Sequence, residues 1–117
     1  MDNLERWKFG TKNNYLVDLV LKGKKTATTS IYRGDKQDKY SILCYSNNND
    51  ACLIKTEKII IMKFKEMEWE YAKLEGENNN LKEWVLEHKK FFKSIDPAFN
   101  DNSYIEFEIF KVVEIFN

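Results

Sequence analysis

Apolar positions along the chain switch between two periods, and the switches mark out its elements. From Asn14 to Lys22, Leu16, Leu19 and Val20 recur at helical spacing. Asn13 or Asn14 can cap this helix, and Gly23 suits the left-handed residue after its end. Lys24 to Tyr32 is polar and β-branched and reads as either a strand or an irregular loop. Arg33 to Lys39, with Gly34, reads as a surface connection. Tyr40–Tyr45 and Ala51–Phe64 are strand-like, and the turn residues Ser46-Asn47-Asn48-Asn49-Asp50 between them predict a hairpin. A five-residue turn centred on Asn48 would place Cys44 directly opposite Cys52.

Glu66 to Leu74 reads as a second helix, with Met67, Tyr71 and Leu74 on one side, and Glu75-Gly76-Glu77-Asn78-Asn79-Asn80 breaks it. Leu81 to Phe92 is the clearest helix, with Leu81, Trp84, Val85, His88, Phe91 and Phe92 on one stripe. Asn80 before it and Glu83 three residues later resemble a capping box. Tyr104 to Phe116 alternates and then shifts phase through Phe110, Val112 and Val113, which predicts a long strand with a bulge or bend. Three short helices and at least four strands, interspersed with hairpins, predict an α+β fold around a small, mostly antiparallel barrel.

The 117 residues predict one domain over 1–117. An apolar share of 43% supplies a core without staples. The longest central apolar run, Ile59-Ile60-Ile61-Met62, is far below the roughly 20 residues of a bilayer span. The N-terminus has no signal-peptide pattern, and two isolated cysteines make no disulfide framework, so a cytoplasmic location is expected. Nineteen basic residues balance nineteen acidic ones, and only Arg6 and Arg33 are arginines. That disfavours a general polynucleotide binder.

Gly23-Lys24-Lys25-Thr26-Ala27-Thr28-Thr29-Ser30 packs two ammonium groups and four hydroxyls directly behind a helix. The plain explanation is dipole complementation followed by strand propensity. The functional alternative is a pocket where a lysine and a threonine converge, the lysine as base and the hydroxyl as nucleophile. Glu75 and Glu77 matter only if they face that segment. His88, the only imidazole, lies on an apolar stripe and reads as a packing residue, so His88→Gln should cost stability more than activity. With one His and no clustered Cys, no metal site is expected, and there is no phosphate-loop or dinucleotide motif.

Several segments in order resemble ASCH-domain proteins. They are Trp7-Lys8-Phe9-Gly10, Leu19 through Lys22-Gly23-Lys24-Lys25-Thr26-Ala27-Thr28, Phe64-Lys65-Glu66-Met67, Glu75-Gly76-Glu77, Trp84 through His88 to Phe91-Phe92, and Glu108 to Val113. The resemblance spans nearly the whole chain and implies a PUA-like barrel whose cleft holds RNA or a nucleoside, with no cofactor. Some members resemble nucleoside amidohydrolases with a Lys-Thr-Glu triad, which falls here on Lys25, Thr28 and Glu75. Lys24, Thr26, Ser30 and Glu77 are the accompanying binding candidates. Others resemble RNA-binding modules or ribonucleases. Asn78-Asn79-Asn80 after Glu77, the short Arg33–Tyr40 connection and Tyr45-Ser46 at the strand end depart from the family pattern near the expected cleft mouth. Three functions therefore compete: hydrolysis of an amide on a modified nucleoside, non-catalytic binding of single-stranded RNA, and metal-free RNA cleavage. The partner is accordingly a nucleoside-like small molecule or single-stranded RNA, with no membrane.

Overall fold

A computed structural model describes residues 4–34 and 38–116. Residues 35–37, within the connection expected at Arg33–Lys39, lie outside that description. The chain runs β1 (Glu5–Trp7), α1 (Asn13–Leu21), β2 (Ala27–Ile31), β3 (Tyr40–Cys44), β4 (Asp50–Lys63), α2 (Trp69–Ala72), α3 (Leu81–Ile95) and β5 (Tyr104–Ile115). The five strands form one sheet in the order β1-β3-β4-β5-β2. Only the β1–β3 pair is parallel. The sheet curls into a half-barrel, so the expected α+β class and mostly antiparallel pairing hold. β1 is a strand the periodicity does not reveal, because three residues are too few to alternate.

Antiparallel pairing sorts the residues of β2 and β5 onto two faces. Ala27, Thr29 and Ile31 stand opposite Ile109, Phe107 and Ile105. This face meets α2 and α3 in a core of Phe64, Trp84, Phe92, Phe99 and Phe107. Phe64 stacks on Trp84 at 5.5 Å and meets Phe99 edge-on at 5.1 Å. On the other face, Thr28 and Ser30 stand opposite Glu108 and Glu106. Further along that face of β5, Phe110 is covered by Val17 and Val20 of α1, in a second cluster with Leu43, Cys52 and Ile54. The strip of polar residues beside it is left for the cleft.

α1 ends as expected, with Gly23 at φ 76 and its N–H on the Val20 carbonyl. Its start differs. Lys12, at φ 48, is the N-cap residue without a side-chain cap, and Asn13 instead ties the preceding loop to β3. Asn13 Oδ1 accepts from Phe9 N at 2.7 Å while Nδ2 donates to the Cys44 carbonyl at 3.0 Å. At α3 the expected cap is present, Glu83 N donating to Asn80 Oδ1 at 2.9 Å.

The helix expected over Glu66–Leu74 is broken into a 3-10 turn (Phe64–Glu66), α2, and a second 3-10 turn (Lys73–Glu75). Met67 and Glu68 are extended, at ψ 139 and 151, which no continuous helix accommodates. The β3–β4 hairpin forms, but its register corrects the expected facing cysteines. Leu43 stands opposite Cys52, and Cys44 opposite Asp50, with a bulge between Leu43 and Cys44. Asn48 takes the left-handed conformation, its N–H bonds the Tyr45 carbonyl, and Tyr45 N bonds Asn49 O. The turn is therefore three residues long rather than five, with the extra left-handed residue that three-residue hairpins use. Both thiols are free and buried. Burial lifts the Cys52 thiol to about 11. The predicted phase shift in β5 is a bulge at Val113, and a second at Glu57 in β4 restores the register.

Candidate active site

Lys25 is placed by backbone contacts on both sides. Lys24 N and Lys25 N bond the Leu19 carbonyl at the end of α1, and Thr26 N bonds the Leu74 carbonyl at 2.8 Å. The end of α1 is thereby strapped to the turn that carries Glu75. Gly76 follows at φ 71, and a Cβ there would collide with the Lys24 carbonyl oxygen. Glycine at this position is what lets Glu75 and Glu77 both reach Lys25.

The result is a buried ion cluster. Lys25 and Glu75 are each 2% exposed. Lys25 Nζ lies 3.2 Å from Glu75 Oε1 and 2.6 Å from Glu77 Oε2. Facing two carboxylates, which only accept, the amine donates to both as an ammonium. The ring of Phe9 lies 5.3 Å away on the cleft side. Glu75 Oε2 accepts from Thr29 Oγ1 and from Trp84 Nε1, both at 2.7 Å, and Oε1 also faces His88 Nε2 at 3.4 Å. Burial alone would raise the Glu75 carboxyl. Lys25, His88 and Thr29 outweigh it and hold Glu75 down at about 2. Trp84 thus belongs to two regions, its ring in the aromatic core and its N–H on the site carboxylate.

A cleft of about 520 Å³ opens over this cluster. Its floor is the polar strip Thr28, Ser30, Glu106 and Glu108. The N-terminal segment with Trp7 and Phe9 forms one wall, and His88, Phe91 and Ile95 of α3 form the other. Thr56 Oγ1 donates to Glu108 at 2.8 Å. The Glu108 carboxyl is raised by burial, despite that hydrogen bond, and further by the neighbouring charges of Glu106 and Glu5.

Of the residues singled out in the sequence, Lys25, Thr28, Ser30, Glu75 and Glu77 all line this cleft. The structure does not bring Lys24 or Thr26 to it. Lys24 is exposed, and Thr26 Oγ1 is spent on the Leu74 carbonyl at 3.3 Å. Both carboxylates reach Lys25, so neither Glu75 nor Glu77 excludes the other. Sequence reasoning missed Thr29, whose hydroxyl alone on β2 bonds Glu75, and the part played by His88 and Trp84. Their signal was present as Trp84 and His88 one helical turn apart, but it reads equally as core. Glu75, Glu77 and His88 offer ligand-type atoms within 4.8 Å of one another, a spacing that meets the geometric need of a metal ion. The Lys25 ammonium already serves as the cation between the two carboxylates, so the three are read as an ion network and not as ligands.

Comparison with known proteins agrees with the architecture. The sequence profile described as the ASCH domain matches residues 5–114. No curated protein matches the sequence. Among solved structures, a protein of Enterococcus faecalis V583 from the DUF984 family superposes with a TM-score of 0.84 at 28% identity. That alignment covers 97% of this chain and 82% of the other. An ASCH domain from Lactobacillus crispatus gives a TM-score of 0.85 at 21% identity, over 95% and 80% of the two chains, which speaks for the fold alone. Among the described residues, no helix is long and apolar enough to cross a membrane.

Proposed function

The chain belongs to the ASCH-domain family, and from that membership we propose that its cleft hydrolyses an amide on a modified nucleoside of the acylated-cytidine type. The observation that carries this reading is the Lys25–Glu75–Glu77 cluster, buried beneath a cleft whose rim and floor carry hydroxyls at Thr28, Thr29 and Ser30. Burying three charges where apolar residues would pack gives little stability. Perturbed ionisable groups gathered at a cavity are instead a mark of chemistry.

Among the described lining residues, seven carboxylates stand against the lysine and arginine charges of Lys8, Lys25 and Arg33 and the single imidazole of His88. A polyphosphate chain is repelled by such a lining, whereas a nucleoside with no phosphate is not. The volume also suits a single small ligand. This weighs against the RNA-binding and ribonuclease alternatives.

In the reaction, a threonine Oγ attacks the acyl carbon, and the free amino group of the base leaves with a proton. Water then cleaves the acyl-threonine ester and regenerates the hydroxyl. Lys25 can take the threonine proton only after passing one of its own to a carboxylate that holds it, and Glu77 at 2.6 Å is the nearer acceptor. Glu75, held by the Thr29 hydroxyl and the Trp84 N–H, orients Lys25. Thr28 is the nucleophile the family resemblance implies, and Thr29 is the hydroxyl that touches Glu75. The two are separated by assaying a panel of acylated nucleosides with Thr28→Val and Thr29→Val. Loss of about a hundredfold or more in Thr28→Val, with a smaller loss in Thr29→Val, assigns the nucleophile to Thr28. The reverse order assigns it to Thr29. We place this activity in the cytoplasm, in keeping with the free thiols of Cys44 and Cys52.

A further inference from the structure

His88 enters neither the triad nor the acyl-transfer steps above, yet it is buried, lines the cleft and stacks face-on against Trp84 with centroids 4.1 Å apart. Its Nδ1 lies 2.9 Å from the Trp84 carbonyl. A carbonyl oxygen only accepts, so Nδ1 carries a hydrogen. Its Nε2 lies 3.4 Å from Glu75 Oε1. A carboxylate also only accepts, so a bare Nε2 there would set two lone pairs against each other. A neutral imidazole has one N–H and satisfies only one of these partners.

We propose that His88 is a positioning residue that works as an imidazolium, donating from both ring nitrogens and so holding Glu75 against Lys25 and Thr29. The inference deepens the hydrolase reading and rests on it for the catalytic consequence, but not for the protonation state. Charge balance supports it, since His88 and Lys25 are two cations facing two carboxylates, Glu75 and Glu77. Each element packed around the ring contributes. The turn after α2 supplies Glu75 and Glu77, the segment before β2 supplies Lys25, and α3 itself supplies the Trp84 carbonyl and the neighbouring Glu87, which accepts from Asn78 at 3.4 Å. Burial alone lowers the affinity of the ring for its second proton. The hydrogen bond and charge of Glu75 overcome this, helped by the Trp84 carbonyl and Glu77, and raise the ring above its ordinary 6.5.

Loss of the second proton at high pH would therefore turn the Nε2 lone pair onto Glu75 and loosen that carboxylate from Lys25. Turnover should fall along an alkaline limb set by His88, through kcat more than KM.

The protein has a single histidine, so tag-free material gives one imidazole pair in a long-range proton–nitrogen NMR correlation. The expected result is both nitrogens protonated at pH 6.5, with a titration midpoint above 6.5. In Glu75→Gln the midpoint should drop below that value, because burial remains and the counter-charge is gone. His88→Gln should lower kcat about tenfold with KM nearly unchanged, and should erase the alkaline limb. A neutral tautomer in the wild type at pH 6.5, or a midpoint unmoved in a folded Glu75→Gln variant, overturns the proposal. If Glu75→Gln does not fold, the wild-type titration alone decides. A protonated His88 in a protein that turns over no acylated nucleoside keeps the His88–Glu75 pair and removes the hydrolase reading. Turnover with a neutral His88 does the opposite.

Discussion

Two buried regions meet at Trp84 and follow opposite rules. Behind the sheet, Phe64, Phe92 and Phe99 fill space with ring centroids 5.1 to 6.3 Å apart, and every contact there removes apolar area from water. In front of Trp84, Lys25, Glu75, Glu77 and His88 bury charge instead, where desolvation offsets most of the attraction. The aromatic side gives the fold its stability. The ionic side is kept in place by it, through the Trp84 N–H on Glu75 and the 3-10 turn that lifts Gly76 against Lys24. A site of this kind is held by its neighbours and adds little of its own to their stability.

Several measurements sharpen or break that contrast. The largest effect expected is on turnover. Lys25→Met should remove it to background in the folded protein, whereas a core variant keeps the rate of its folded fraction. Activity in Lys25→Met at even a tenth of the wild-type rate would erase the distinction. Next, Phe64→Ala should cost about 3–5 kcal/mol in urea unfolding, as large ring-to-methyl cavities do. A cost below about 1 kcal/mol would mean that the aromatic side is not the anchor.

Acid should act selectively on the ionic side. Glu75 is held at about 2 against an ordinary 4.5, so its contribution is complete above pH 4.5 and fades as pH falls toward 2. This should be visible as a loss of melting temperature over that window that is smaller in Glu75→Gln. Equal acid sensitivity in both proteins would place the titrating groups elsewhere. The smallest effect belongs to neither region: Asn80→Ala at the start of α3 should cost about 1 kcal/mol in thermal unfolding, with turnover unchanged. A marked loss of activity there would show that α3 tunes the site more directly than its wall position suggests.

What could be read from the chain follows from how local each signal is. α3, its Asn80 cap and the Gly23 stop are short-range features, and the structure has them. The β5 bulge appeared because side-chain alternation fails visibly when one residue is added. Hairpin register did not, since the three-residue turn with left-handed Asn48 displaces the Cys44–Asp50 pair by two, and the bulge at Leu43/Cys44 leaves the pairs beyond it displaced by one, without altering the composition. The same limit hid Thr29. Two adjacent threonines on a strand point to opposite faces, and only the pairing of Thr29 with Phe107 and Thr28 with Glu108 tells which is which. Lys25 and Glu75 lie fifty residues apart. Nothing local joins them, and only the ordered resemblance to a family suggested the pair.

The most direct test of the account is the hydrolysis of acylated cytidines by the wild type beside Lys25→Met/Glu75→Leu, each corrected for folded fraction in the same buffer. The account predicts turnover in the wild type and background rate in the folded double variant. A wild type that turns over no member of the panel, or a double variant that keeps the wild-type rate, would contradict it.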